Sequence, residues 1–125
     1  MIDICNLKNN FCKFVYDFRV DRFSILGNPF YMKKECERDE VCNKYEEYFY
    51  NKLLFRDDVI EILKEMIEVY REYNKLRLFC WCFPRRCHAE IIRDFIYEVV
   101  KEKDIDNKFI NDINIVNIID KLRTQ

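Results

Sequence analysis

The run Leu78-Phe79-Cys80-Trp81-Cys82-Phe83 constrains this chain more than any other stretch. An unbroken series of apolar side chains suits a strand covered on both faces, as in a parallel sheet. Pro84 disfavours helix at Phe83 and is expected to end the strand. Past Cys87 the period changes: Ile91/Ile92, Phe95/Ile96 and Val99/Val100 recur at helical spacing. Strand, turn and helix therefore follow one another between residues 78 and 100.

The preceding chain supplies the partners. Residues Ile2 to Leu7 read as a short strand and Asn9-Asn10 as a turn. Phe14, Tyr16, Phe18 and Val20 alternate with Lys13, Asp17, Arg19 and Asp21, the pattern of a half-buried strand. Arg38 to Leu54 reads as a helix with Cys42, Tyr45, Phe49 and Leu53 on one face. A second helix is expected from Asp57 or Asp58, with Glu61 completing a capping box on Asp58, to Tyr73-Asn74. Two strands, two helices and a third strand imply a long crossover, hence an α/β domain. Beyond it, Lys101 to Asn107 reads as a polar linker, and Phe109, Ile113, Val116 and Leu122 fit a last short helix. The expected organisation is one α/β domain over 1–103 and a helical extension over 104–125.

Composition narrows the function. The chain has 125 residues, enough for one domain, and a formal charge of −1. Near neutrality argues against binding nucleic acid through phosphate neutralisation. No apolar stretch approaches the length of a membrane helix, and Met1-Ile2-Asp3-Ile4 does not open a secretory signal. A cytoplasmic location is expected, with the seven cysteines as thiols, an odd count that a complete disulfide framework would not use.

Two loops follow strands and invite a ligand. The segment Arg22-Phe23-Ser24-Ile25-Leu26-Gly27-Asn28-Pro29-Phe30 offers the Ser24 hydroxyl and the Asn28 amide, with Gly27 and Asn28 tolerant of positive φ. Its structural alternative is a tight turn with Phe30 plugging the core. The second loop, Phe83 to His88, places Arg85 and Arg86 before a helix start, where unpaired N–H groups favour phosphate or carboxylate. If the two strands are neighbours, the loops face one pocket. Cys87 reads either as a packed thiol or as a thiolate stabilised by the helix start, and His88 as an acid–base group or a structural histidine. Cys80, Cys82, Cys87 and His88 have zinc-type donors, but not in two separated pairs. Phe79 and Trp81 suit the core more than a stacked base. Arg38 is a further clamp for a ligand.

These motifs carry a resemblance. Arg22-x-Ser24-x-Leu26-Gly27-Asn28-Pro29-Phe30, Arg38 with Tyr45, and Cys80-Trp81-Cys82-x-Pro84-x-x-Cys87-His88 resemble an uncharacterised domain-of-unknown-function family of bacteriophages and bacteria. That family is recognised by GNPF and CWCxPxxCH motifs. The similarity covers about residues 2–100, with Ala89 standing where the family often has Gly. It implies a small Rossmann-like domain of two or three layers with a short, mostly parallel sheet. It also implies a nucleotide-type pocket using Arg22, Ser24, Gly27, Asn28, Pro29, Phe30, Arg38, Cys82, Pro84, Arg85, Arg86, Cys87 and His88. The expected function is binding of a small anionic, nucleotide-derived ligand, such as sequestration of a host immune signalling nucleotide by a phage protein. No cofactor and no membrane partner are implied, and a homo-oligomer is left open. The alternatives are an enzyme acting on a nucleotide or N-glycosidic bond through His88 or Cys87, and a zinc-stabilised interaction module. Binding is favoured over catalysis because neither loop carries paired carboxylates and no Ser–His–Asp order is present.

Overall fold

The computed structural model describes residues 1–101. The linker and last helix expected after Lys101, and the extension over 104–125, lie outside the described residues. The elements are strand β1 (Ile2–Asn6), strand β2 (Asp17–Arg19), helix α1 (Arg38–Asn51), helix α2 (Asp57–Tyr73), strand β3 (Leu76–Cys80) and helix α3 (Ala89–Lys101). Short 3₁₀ turns at Glu35–Glu37 and Leu53–Phe55 flank α1. The sheet has the order β1-β3-β2, and both pairings are parallel.

The register explains which face is buried. Ile2, Ile4, Phe18, Leu76, Leu78 and Cys80 fall on one face, because side chains alternate along each strand and Ile2 aligns with Leu76 and Phe18 with Leu78. That face joins one apolar cluster with Tyr45 and Phe49 of α1, Val59, Leu63, Met66 and Ile67 of α2, and Ile92, Phe95, Ile96 and Val99 of α3. The three described helices therefore serve one side of the sheet, a two-layer α/β arrangement.

Asp3, Cys5, Asp17, Arg19, Arg77 and Phe79 fall on the opposite face. The 7–16 connection meets it. Arg77 donates to Asp17 at 2.7 and 3.0 Å and lies 5.0 Å from the Phe79 ring centre and 5.7 Å from that of Phe14. The Asp17 carboxylate also accepts from the backbone N–H groups of Lys13 and Phe14. These bonds outweigh the burial that would raise its pKa and leave it lowered.

Three boundaries differ from the sequence expectation. The central strand runs over 76–80 rather than 78–83: Trp81 and Phe83 are exposed, and a turn begins four residues before Arg85. The second strand keeps only residues 17–19, since the Asp17 N–H turns back to the Phe14 carbonyl and leaves Phe14 and Val15 exposed. No capping box forms at Asp58: α2 starts at Asp57, and Asp58 pairs with Arg56 at 2.7 Å and bonds the N–H of Val59. The helix does end where expected, with Asn74 in the left-handed conformation at φ 52°.

Candidate functional site

β2 and β3 are neighbours, so the loops that follow them meet. Residues 21–32 and the 81–88 turn enclose a cavity of about 830 Å³, closed on its third side by α1 residues Arg38, Val41, Cys42 and Tyr48. It lies beyond the C-terminal ends of the strands, the usual ligand position in a parallel sheet. Arg22, Ser24, Gly27, Asn28, Pro29, Phe30, Arg38, Cys82, Arg86, Cys87 and His88 all line it. Pro84 and Arg85, both expected there, are not among its lining residues. The exposed Arg85 guanidinium lies 3.5 Å from Glu35 instead.

The first loop is held by its own polar groups. Ser24 Oγ donates to the Asp21 carbonyl at 2.8 Å and accepts from Leu26 N–H at 3.3 Å. Asn28 Oδ1 accepts from Phe30 N–H at 2.9 Å, an Asx turn. Arg22 donates to the carbonyls of Asn28 at 3.2 Å and Phe30 at 3.0 Å, and its guanidinium lies 4.0 Å from the Tyr31 ring centre. Gly27 is required for a reason other than the expected one. No glycine here has positive φ. A Cβ at Gly27 would instead stand 2.5 Å from the Asp21 carbonyl oxygen and 2.6 Å from Arg22 Cα. Nor does Phe30 plug the core: it is half-buried against Tyr48, while Leu26 is fully buried and its carbonyl accepts from Tyr45 Oη at 2.7 Å.

The second loop is tied to both neighbours. Asn6 Nδ2 donates to the Phe83 carbonyl at 2.7 Å. Arg38 donates to the Arg86 carbonyl at 2.9 Å while pairing with Glu35. Arg86 pairs with Asp39 at 3.0 Å and donates to Asn43 Oδ1 at 3.1 Å. The N–H groups at the start of α3 are already engaged: Glu90 Oε2 accepts from Cys87 N–H, and the N–H groups of Glu90 and Ile91 bond the carbonyls of Cys87 and His88. The phosphate cradle expected from Arg85, Arg86 and this helix start is therefore not assembled.

Two further lining residues, Asp21 and Trp81, are joined by a hydrogen bond. Asp21 is buried and accepts from Arg19 at 2.7 and 2.9 Å and from Trp81 Nε1 at 3.0 Å. Its burial would raise the carboxyl pKa, but these bonds outweigh it and lower it. Trp81, expected in the core, is exposed at the rim. In the sequence Asp21 simply continues the polar half of the 13–21 alternation, so nothing there marked it as a buried carboxylate.

His88 sits just before α3. Its Nε2 hydrogen-bonds the Val20 carbonyl, and its ring meets Tyr45 at 4.9 Å between centres. Burial pushes its pKa down, so it is a neutral donor joining α3 to the end of β2. Cys80 and Cys87 are buried with their sulfurs 3.3 Å apart. Cys82 is half-buried and lines the cavity. The Cys87 thiol is raised by interaction with Cys80 and Cys82 and by burial, the reverse of a thiolate stabilised at a helix start. The same interactions lower Cys80 and Cys82, with Arg38 adding to the effect at Cys82. Among the described residues no group of three or more His, Cys, Asp or Glu is placed to hold a metal ion. The zinc reading of Cys80, Cys82, Cys87 and His88 thus lacks a convergent donor set. Nor is any described helix long and apolar enough to cross a membrane.

A family model described as "domain of unknown function (DUF4326)" matches residues 5–98, and the chain belongs to that family. No curated protein and no solved structure matches it.

Proposed function

We propose that this member of the DUF4326 family binds a small anionic, nucleotide-derived ligand in the cavity between the 21–32 loop and the 81–88 turn, without transforming it. The observation that carries this reading is the charge balance of the cavity wall. Arg38, Arg56 and Arg86 each pair with a carboxylate, whereas among the described residues Arg22 hydrogen-bonds only carbonyl oxygens. Its positive charge is left for an anion, and a guanidinium suits phosphate in particular. Phe23, Tyr31 and Trp81 stand exposed around the same opening and offer faces for a planar base.

Sequestration is favoured over catalysis because both catalytic candidates have structural partners. His88 Nε2 is bonded to Val20, and Cys87 is buried against Cys80. A ligand held intact suits a cytoplasmic phage protein that withdraws a host signalling nucleotide.

The test begins with mass spectrometry of small molecules released by heating native protein, followed by calorimetric titration with nucleoside mono- and diphosphates. An unaltered nucleotide recovered after heating supports sequestration. Arg22→Lys keeps the charge but not the paired carbonyl bonds, and Arg22→Ala loses both. Arg22→Ala should weaken binding about ten- to a hundredfold, and Arg85→Glu should change it little. Equal binding by wild type and a folded Arg22→Ala variant would remove the reading.

A further inference from the structure

Trp81 is 55% exposed, yet it is fixed at both ends. Its carbonyl accepts from Asn6 Nδ2 at 3.3 Å. Its indole N–H donates to Asp21 Oδ2 at 3.0 Å. Asp21 is held in turn. Its side chain is 2% exposed, Arg19 donates to both carboxylate oxygens at 2.7 and 2.9 Å, and its carbonyl accepts from the N–H and Oγ of Ser24. A buried carboxylate is costly to desolvate, and this one orients a ring that faces water. An exposed indole needs no such partner, because water satisfies its N–H. The same Arg19 guanidinium lies 5.7 Å from the ring centre of Phe23, a second exposed aromatic of the cavity wall. One ion pair thus supports two aromatic rings that line the cavity.

We propose that Trp81 is the surface on which the base of a bound nucleotide stacks and that Asp21 is its positioning residue, a proposal that rests on the nucleotide reading of the cavity. Arg22 and Trp81 then divide the ligand between them, phosphate on the guanidinium and base on the indole. Stacking needs a π-face rather than a pattern of donors, and a ring tied at its edge and more than half exposed suits it. Fixing the ring beforehand removes the ordering cost that a free indole would incur on binding. Stacking is tolerant of base identity, so Trp81 separates nucleotides from sugar phosphates rather than one base from another.

The test compares adenosine 5′-monophosphate with ribose 5-phosphate, which keeps the sugar and phosphate but lacks the base. Both are titrated by calorimetry into wild type, Trp81→Ala, Trp81→Phe and Asp21→Asn, with folding verified by circular dichroism. Trp81→Ala should weaken the nucleotide about five- to a hundredfold and leave ribose 5-phosphate unchanged. Trp81→Phe, which keeps a ring without the N–H, should lose less. Asp21→Asn keeps the size of the side chain but loosens its hold on the indole. It should cost the nucleotide about three- to tenfold, again without effect on ribose 5-phosphate. A purely structural role for either residue would move both ligands together, and that result would overturn the proposal. Trp81 is the only tryptophan, so its fluorescence reports stacking without any variant. Saturating nucleotide should quench it, and ribose 5-phosphate should not; unchanged emission with nucleotide bound would also overturn the proposal. Nucleotide bound equally well by folded Trp81→Ala would remove Trp81 from the site and leave the nucleotide reading standing. Wild type that binds neither probe would remove both.

Discussion

Single residues at this site act through backbone more than through chemistry. A Cβ at Gly27 would stand 2.5 and 2.6 Å from main-chain atoms, which cannot move aside as a flexible side chain would. Gly27→Ala should therefore destabilise by about 1–3 kcal/mol, read from urea midpoints, and Gly27→Val by more. A variant as stable as wild type would mean that the loop re-forms around the added methyl. His88 gives a dependence on pH. Its folded pKa is depressed below the unfolded 6.5, so the unfolded chain takes up the proton more readily. The stability it contributes is fully present above that unfolded value and is lost as pH falls below it towards the folded value. Urea midpoints should accordingly decline from about pH 7.5 to about pH 5.5, and less so in His88→Gln, whose amide can still donate to the Val20 carbonyl. Parallel slopes for the two proteins would place the titration elsewhere.

At the scale of elements, the sequence disclosed periods better than ends. The alternation of 14–20 and the helical repeats of Val59–Tyr70 and Ile91–Val100 marked real elements. The six-residue apolar run mis-set the end of β3 because Trp81 and Phe83 are apolar yet turn outward, Trp81 to reach Asp21. The clustering of Arg22, Ser24, Asn28, Arg38, Arg86 and His88 about one cavity was legible, since loops after neighbouring parallel strands must converge. What those groups bond was not. The pairing of Arg85 with Glu35 and the engagement of Cys87 N–H by Glu90 depend on how α1 and α3 sit, which no local spacing encodes. Strand β2 is only three residues long, so its attachment leans on the Arg77–Asp17 pair. The Asp17 side chain is 0% exposed. Arg77→Met would leave that carboxylate buried without its cation, a loss of about 3–5 kcal/mol by chemical denaturation. A loss within error of zero would show that the backbone N–H groups of Lys13 and Phe14 suffice.

In the molecule as a whole, the cavity and the core share one framework. β3 pairs with both other described strands, faces the three described helices across the core cluster, and leads into the turn that carries Trp81. Unfolding should therefore be cooperative. Far-ultraviolet circular dichroism and the fluorescence of Trp81, the only tryptophan, should give coincident urea transitions; an earlier fluorescence transition would mean that the cavity rim opens independently. The position of β3 also bears on biosynthesis. The middle strand of the sheet is the last of the three to be made, and the two earlier strands do not pair with each other. During translation β1 and β2 must wait, each with unsatisfied edges, while the two intervening helices are being synthesised. No part of the sheet can zip up until Leu76–Cys80 has left the ribosome, so nascent chains stalled before that point are sticky clients for chaperones, and those released after it close the sheet in a single late event.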